Sequence, residues 1–360
     1  MLKRLAALII ILLVMTGTVG CAAKNPGSTA PIENLAAIAV TDSLGREVEV
    51  PRDPQRVACL YAFTGHVTTL LDKGPAIVAA VEGLKRDKLL TRLVPEILTA
   101  FIPLTADRIN IEELMKAAPD VIFIREDTAR NEREIEQLDK SGIPYLVISD
   151  TTMDQQMEAI AIIGKALGKD TEAGDYLEYY RGAIDRVKAI IDEIPDTAKV
   201  RVFHSINEAT RTDFKDTLSA QWTAAAGAIN VSVDGDLRFT DNKYFASLEQ
   251  IYLWNPDVIL VHEKAALEYI RTNEQWAALK AVKAGKVFKM PDGISRWGHP
   301  GSLETPLAIL WTAKTLYPDK FSDLDMASET RNFYKKFFAI DLPDEDVAAI
   351  LAGNGMRLPK

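Results

Sequence analysis

The feature that most restricts the fold is an alternation. Short, nearly uninterrupted apolar runs recur from residue 57 onward, separated by segments with helical spacing. They are VACLYA (57–62), AIVAAV (76–81), VIFI (121–124) and YLVIS (145–149), then VRVFHSI (200–206), VILVHE (258–263) and KVFKM (286–290). Strands that are apolar on both faces need cover on both faces, and strands separated by helices run parallel. Between the two sets lies a strand-free stretch from about 153 to 193. Within it Tyr176, Tyr180, Ile184, Val187 and Ile191 recur at three- and four-residue steps, a helical stripe that ends by Pro195. One α/β lobe therefore precedes a long helix and another follows it. A chain of 360 residues is long enough for two such domains.

The two sets also echo each other. NIEELMKAAPDVIFI (110–124) and SLEQIYLWNPDVILV (247–261) each place a Glu seven residues before Pro-Asp, followed by a Val-Ile strand. Locally this reads as an N-cap, a two-turn helix, a Pro that stops it, and a strand. Asn110 and Ser247 are the expected caps.

The amino end reads differently. Lys3 and Arg4 precede an apolar run from Leu5 to Met15, too short to span a bilayer, which takes about 20 residues. Basic, apolar and then small residues mark a secretory signal over 1–20. Thr18-Val19-Gly20-Cys21 resembles a bacterial lipobox, with Thr18 where Leu is usual. Cys21 is then the lipidated first residue, 21–37 a lipid-anchored tether, and the outer face of the membrane (or the periplasm) the location. A plain signal with a chance Cys is the alternative. Losing Lys3 and Arg4 takes the net charge from −9 to 40 − 51 = −11. Cys59, left without a partner, is expected to be a buried apolar residue.

In order and spacing these motifs resemble the substrate-binding lipoproteins of ABC importers, in the group that binds siderophores, haem and cobalamin. The resemblance begins at VTDSLGREVEVPRDPQRVACL (40–60), similar to that family's opening hairpin and first strand. It continues through both Glu…Pro-Asp units and LSAQWTAAAGAINV (218–231), and closes with the helix in LETPLAILWTAKTLYPDKF (303–321). It implies two Rossmann-like lobes, parallel sheets flanked by helices, at 38–152 and 196–360, joined by a single long helix at 153–195. A helical bridge resists bending, so only a small closure is expected. It further implies a monomer that docks on a permease dimer through one Glu on each lobe, here Glu112 and Glu249. Each is otherwise a solvated acid favoured by a helix start.

Ligands of open parallel sheets sit beyond the carboxyl ends of the strands. In the first lobe that rule selects Tyr61, Phe63 and His66 after the first run, Arg86 after the second and Arg125 after the third. In the second lobe it selects Asn207 and the Gly- and Pro-rich loop PDGISRWGHPGS (291–302), with Arg296, Trp297 and His299; Arg238 joins the list as a cation. Arg supplies fixed donors to an anion and Trp a stacking face. Each also has a plainer role. Trp297 suits a core edge, His299 a helix cap, Tyr61 a core position, His66 a helix surface, and the other Arg residues solvated charge. His204 and His262 sit in apolar strands and read as core or strand-end residues.

The charge balance argues against a general nucleic-acid binder. Four scattered His and two Cys assign no side chain to a metal. Neither Gly-x-Ser-x-Gly, nor His-Glu-x-x-His, nor a phosphate-binding Gly loop occurs. The expected function is capture of a metal chelate, a ferric siderophore ahead of haem or a corrinoid, with no intrinsic cofactor and no catalysis. A surface sensor without transport, or an enzyme acting on metal chelates, is the alternative.

Overall fold

A computed structural model describes residues 37–105, 108–241, 243–354 and 357–358. The expected signal, Cys21 and the tether up to residue 36 lie outside the described residues.

The apolar runs form two four-stranded parallel sheets. In the first, Val57–Cys59 lies between Ile77–Ala79 and Val121–Arg125, with Tyr145–Ile148 outermost. In the second, Arg201–Ser205 lies between Ile229–Asn230 and Val258–Val261, with Val287–Lys289 outermost. Counted along the chain, both sheets run second, first, third, fourth. Ile229–Asn230 is too short to show as an apolar run, which is why the second set reads as three strands. A hairpin of Ala37–Thr41 and Glu47–Pro51 precedes the first lobe, and Asp42 ties it to the sheet by accepting from Val147 N at 3.0 Å.

The sequence echo is a structural repeat down to single bonds. Asn110 caps the helix Ile111–Ala117 by accepting from Glu112 N and Glu113 N. Ser247 caps Leu248–Trp254 in a reciprocal bond pair with Gln250. Each helix stops at a left-handed residue before Pro, Ala118 (φ 42°) and Asn255 (φ 41°). Asp120 then accepts from Arg56 N at 2.9 Å, and Asp257 from Arg201 N at 3.0 Å. Those same arginines donate to the helix ends, Arg56 to Ala117 O and Arg201 to Trp254 O. Pro-Asp thus ends a helix and clamps it to the start of the neighbouring strand in both lobes.

The bridge corrects one expectation. The stretch 153–195 holds two helices, Met153–Ala166 and Asp170–Ile191. Gly168, at φ 66°, lets Lys169 N reach Gly164 O, closing the first helix before the second begins. The second is 22 residues long, about 33 Å. Tyr176, Tyr180, Val187 and Ile191 on it are buried and Ile184 is half-buried. They belong to one core that runs from Val57 and Phe123 of the first lobe to Val202, Leu260 and Trp222 of the second. The outer faces of the sheets have separate cores, around Ile122 and Leu138 in one and Phe203 and Trp276 in the other.

The carboxyl end also stitches the lobes. On the helix Asp344–Leu351, Asp346 pairs with Arg92 of the first lobe at 2.6 Å, and Ile350 O accepts from Asp292 N of the second. Cys59 is free and buried, and burial pushes its thiol up to about 12. Among the described residues no helix is long and apolar enough to cross a membrane.

Candidate functional site

The carboxyl ends of both sheets bring a polar cluster together. From the first lobe, Tyr61 follows the first strand, Arg125 ends the third and Asp150 follows the fourth. Tyr61 OH donates to the Asp150 carboxylate, with oxygens at 2.8 and 3.0 Å, and the Arg125 guanidinium lies 5.2 Å from the Tyr61 ring centre. Arg125 also stands 3.6 Å from Asp127. Burial raises the Asp150 carboxyl to about 6 and pushes the Tyr61 phenol up.

From the second lobe come Asn207 and the 291–302 loop. Asn207 takes a left-handed backbone (φ 61°), and its Oδ1 accepts from Arg296 at 2.6 Å. Arg296 also pairs with Glu263 at 2.5 Å and sits 3.3 Å from His299 Nδ1. His299 Nε2 lies 3.3 Å from Asn207 Oδ1. Burial, and then the Arg296 charge, hold His299 well below the usual imidazole range. The lobes meet at Gly301, whose missing Cβ would fall 2.7 Å from Tyr61 OH and 3.7 Å from Asp150 Oδ2.

Of the expected ligand residues, Tyr61, Arg125, Asn207, Arg296 and His299 stand at these strand ends. The other five have different surroundings. Trp297 is fully buried in the shared core and offers no stacking face. Phe63 is fully buried as well. His66 is buried in the helix Ala62–Leu70, 3.1 Å from Asp87, which also pairs with Arg357 of the tail. Arg86 donates to Leu358 O, bracing that tail against the first lobe. Arg238 stacks on Phe245 at 5.3 Å within a three-stranded antiparallel sheet of Arg211–Thr212, Lys243–Phe245 and Arg238–Thr240. Glu112 and Glu249 are both exposed in the first turns of the paired helices.

Sequence reasoning missed Asp150, Glu263 and three of the four histidines as a group. His204 lies on the strand Arg201–Ser205, His262 directly follows the neighbouring strand Val258–Val261, and their Nε2 atoms lie 2.6 Å apart. The His262 and His299 rings meet edge-on, 5.4 Å between centres. A signal existed. Aligning the repeat by its Pro-Asp sets His262-Glu263 against Arg125-Glu126. No group of three or more His, Cys, Asp or Glu among the described residues has metal-binding geometry.

A family model described as periplasmic binding protein matches residues 57–293. The molybdate-binding protein MolA of Haemophilus influenzae is 28% identical over 341 residues, covering 87% of this chain and 94% of that protein. The Fe(3+)-citrate-binding protein YfmC of Bacillus subtilis is 26% identical over 302 residues, covering 79% of this chain and 89% of that protein. A solved structure of MolA with molybdate superposes with a TM-score of 0.75 at 26% identity, covering 85% of this chain and 99% of that one.

Proposed function

The chain belongs to the periplasmic binding protein family, as a substrate-binding protein of an ABC importer for a metal-containing ligand and not an enzyme, and we propose that its ligand is a compact anionic metal species. A metal oxyanion or a carboxylate chelate such as ferric citrate fits that description. The observation that carries this reading is a pair of guanidinium groups, Arg125 and Arg296, one from each lobe, at a mouth closed by Gly301 against Tyr61. Arg is suited to flat, oxygen-rich anions, because its donors are fixed in one plane. Asn207, whose Oδ1 is taken by Arg296, adds a neutral amide donor. Trp297, the expected stacking residue of the loop, is fully buried, which supports a ligand held by charge and hydrogen bonds more than by stacking. The two relatives named above carry anions in their names, which supports the same class.

The protein works outside the cytoplasm. Cys21 anchors it to the membrane by lipid, and Glu112 and Glu249 present one charge per lobe to two permease subunits. Rim ion pairs of this kind give orientation and association speed with modest affinity, which lets the carrier leave after delivery. The shared core along the Asp170–Ile191 helix favours a small closure.

Calorimetric titration with molybdate, ferric citrate, a ferric siderophore, cobalamin and haem tests the ligand class. We expect binding to one or both of the first two, weakened at least tenfold by Arg296→Ala. Preference for haem or cobalamin would overturn the compact-anion reading. Failure of all five would overturn the metal-ligand reading.

A further inference from the structure

Asp213, His204 and His262 form a buried line behind the second-lobe half of the cleft. His204 Nδ1 lies 2.5 Å from Asp213 Oδ2, and His204 Nε2 lies 2.6 Å from His262 Nε2. The nitrogen facing the carboxylate carries the hydrogen, so His204 donates from Nδ1 and accepts at Nε2. His262 then donates from Nε2, which leaves its Nδ1 with a bare lone pair. That atom is buried and has no hydrogen-bond partner among the described residues. Leaving a buried polar atom unpaired costs about 1–3 kcal/mol.

The line ends next to the proposed ligand site. His262 meets the His299 ring edge-on, and His299 shares Asn207 with Arg296. The charged groups facing His262 come from several elements. His204 lies in front of Asp213 on the first strand side, Lys289 comes from the fourth strand, and Arg296 and His299 come from the loop. Glu263 follows in the chain, and Asp292 faces Lys289. Arg211 and Arg357 bear on His299. Burial and the nearby cations therefore oppose a positive charge on His262 while the cleft is empty. An anion set against Arg296 offsets the part of that opposition that comes from the cations.

We propose that Asp213–His204–His262 is a proton-accepting relay beneath the ligand site, so that the cleft takes up a proton together with its anion. The proposal rests on the compact-anion reading above. One proton from solvent adds to His262 Nδ1, and the proton on His262 Nε2 passes to His204 Nε2. His262 ends neutral with Nδ1 now a donor, and the positive charge ends on His204 beside the Asp213 carboxylate. Buried networks that merely fill space would show no such linkage.

Calorimetry with sodium molybdate and with ferric citrate, at pH 6 and pH 8 in buffers of different ionisation heat, reads this directly on the unmodified protein. We expect uptake of about half to one proton per anion and affinity about ten- to hundredfold higher at pH 6. Asp213→Asn keeps an acceptor for His204 without the charge, and His262→Asn breaks the line. Both should lose at least half of the proton uptake and, with it, at least half of the logarithmic change in affinity between pH 8 and pH 6. Binding by the unmodified protein with no buffer-dependent heat and equal affinity at both pH values overturns the relay alone. Full proton uptake retained in both variants does the same. Failure of both anions to bind at either pH overturns the compact-anion reading and the relay with it.

Discussion

A side chain at Gly301 would occupy space that Tyr61 already fills: its Cβ would lie 2.7 Å from the phenolic oxygen and 3.4 Å from the ring carbon bearing it. Gly301 also sits at φ 78°, where a Cβ costs about 1–2 kcal/mol. One lobe therefore rests directly on the other across the mouth of the cleft. Gly301→Ala is expected to weaken anion binding at least tenfold, measured by calorimetry. Adding Tyr61→Phe removes the colliding oxygen and should recover most of that loss. An equal loss in the double variant would show that the collision is not the cause.

The burial of Trp297 predicts a role in stability. Its ring is fully buried in the core shared by both lobes. Trp297→Ala should lower unfolding free energy by about 3–5 kcal/mol, read by chemical denaturation. Below its melting temperature the variant should bind its anion within about threefold of the parent. Unchanged stability with lost binding would return Trp297 to the ligand site.

Asp292 gives stability a pH signature. Burial raises its carboxyl from the usual 3.8 to about 7. The folded chain thus keeps a proton that the unfolded chain releases between about pH 4 and pH 7, so this group makes stability fall as pH rises through that window. Asp292→Asn should be more stable than the parent by up to about 4 kcal/mol at pH 8 and close to it at pH 4. Asp150, raised to about 6, acts in the same direction. Equal stability of Asp292→Asn and parent across the range would show that Asp292 carries no buried charge.

Glu112 and Glu249 are exposed on twin helices, away from the buried groups of the cleft. Charge reversal at both, Glu112→Lys with Glu249→Lys, should cut cellular uptake to below about a tenth while leaving anion binding in solution unchanged. Loss of solution binding in that double variant would remove the docking assignment.

Much of the architecture was legible because its signals are local. The apolar runs marked both sheets, and the Pro-Asp echo marked a repeat that the Arg56–Asp120 and Arg201–Asp257 clamps realise bond for bond. The break at Gly168 was not read, because the stripe that marks the long helix begins at Tyr176, beyond it. The strand-end rule found Tyr61, Arg125, Asn207, Arg296 and His299. It could not separate them from Phe63 and Trp297, since position after a strand does not tell which way a side chain turns.

The chain's own pattern decides where strands and helices begin, how the repeat is built and which segments reach the carboxyl edge. Those depend on neighbours within a few residues. Only tertiary packing decides which of those segments' side chains share a space. Arg86 finds its acceptor at Leu358 and His204 finds His262, 58 residues away. Charge and burial at such a meeting depend on both partners at once, so neither partner's local sequence contains them.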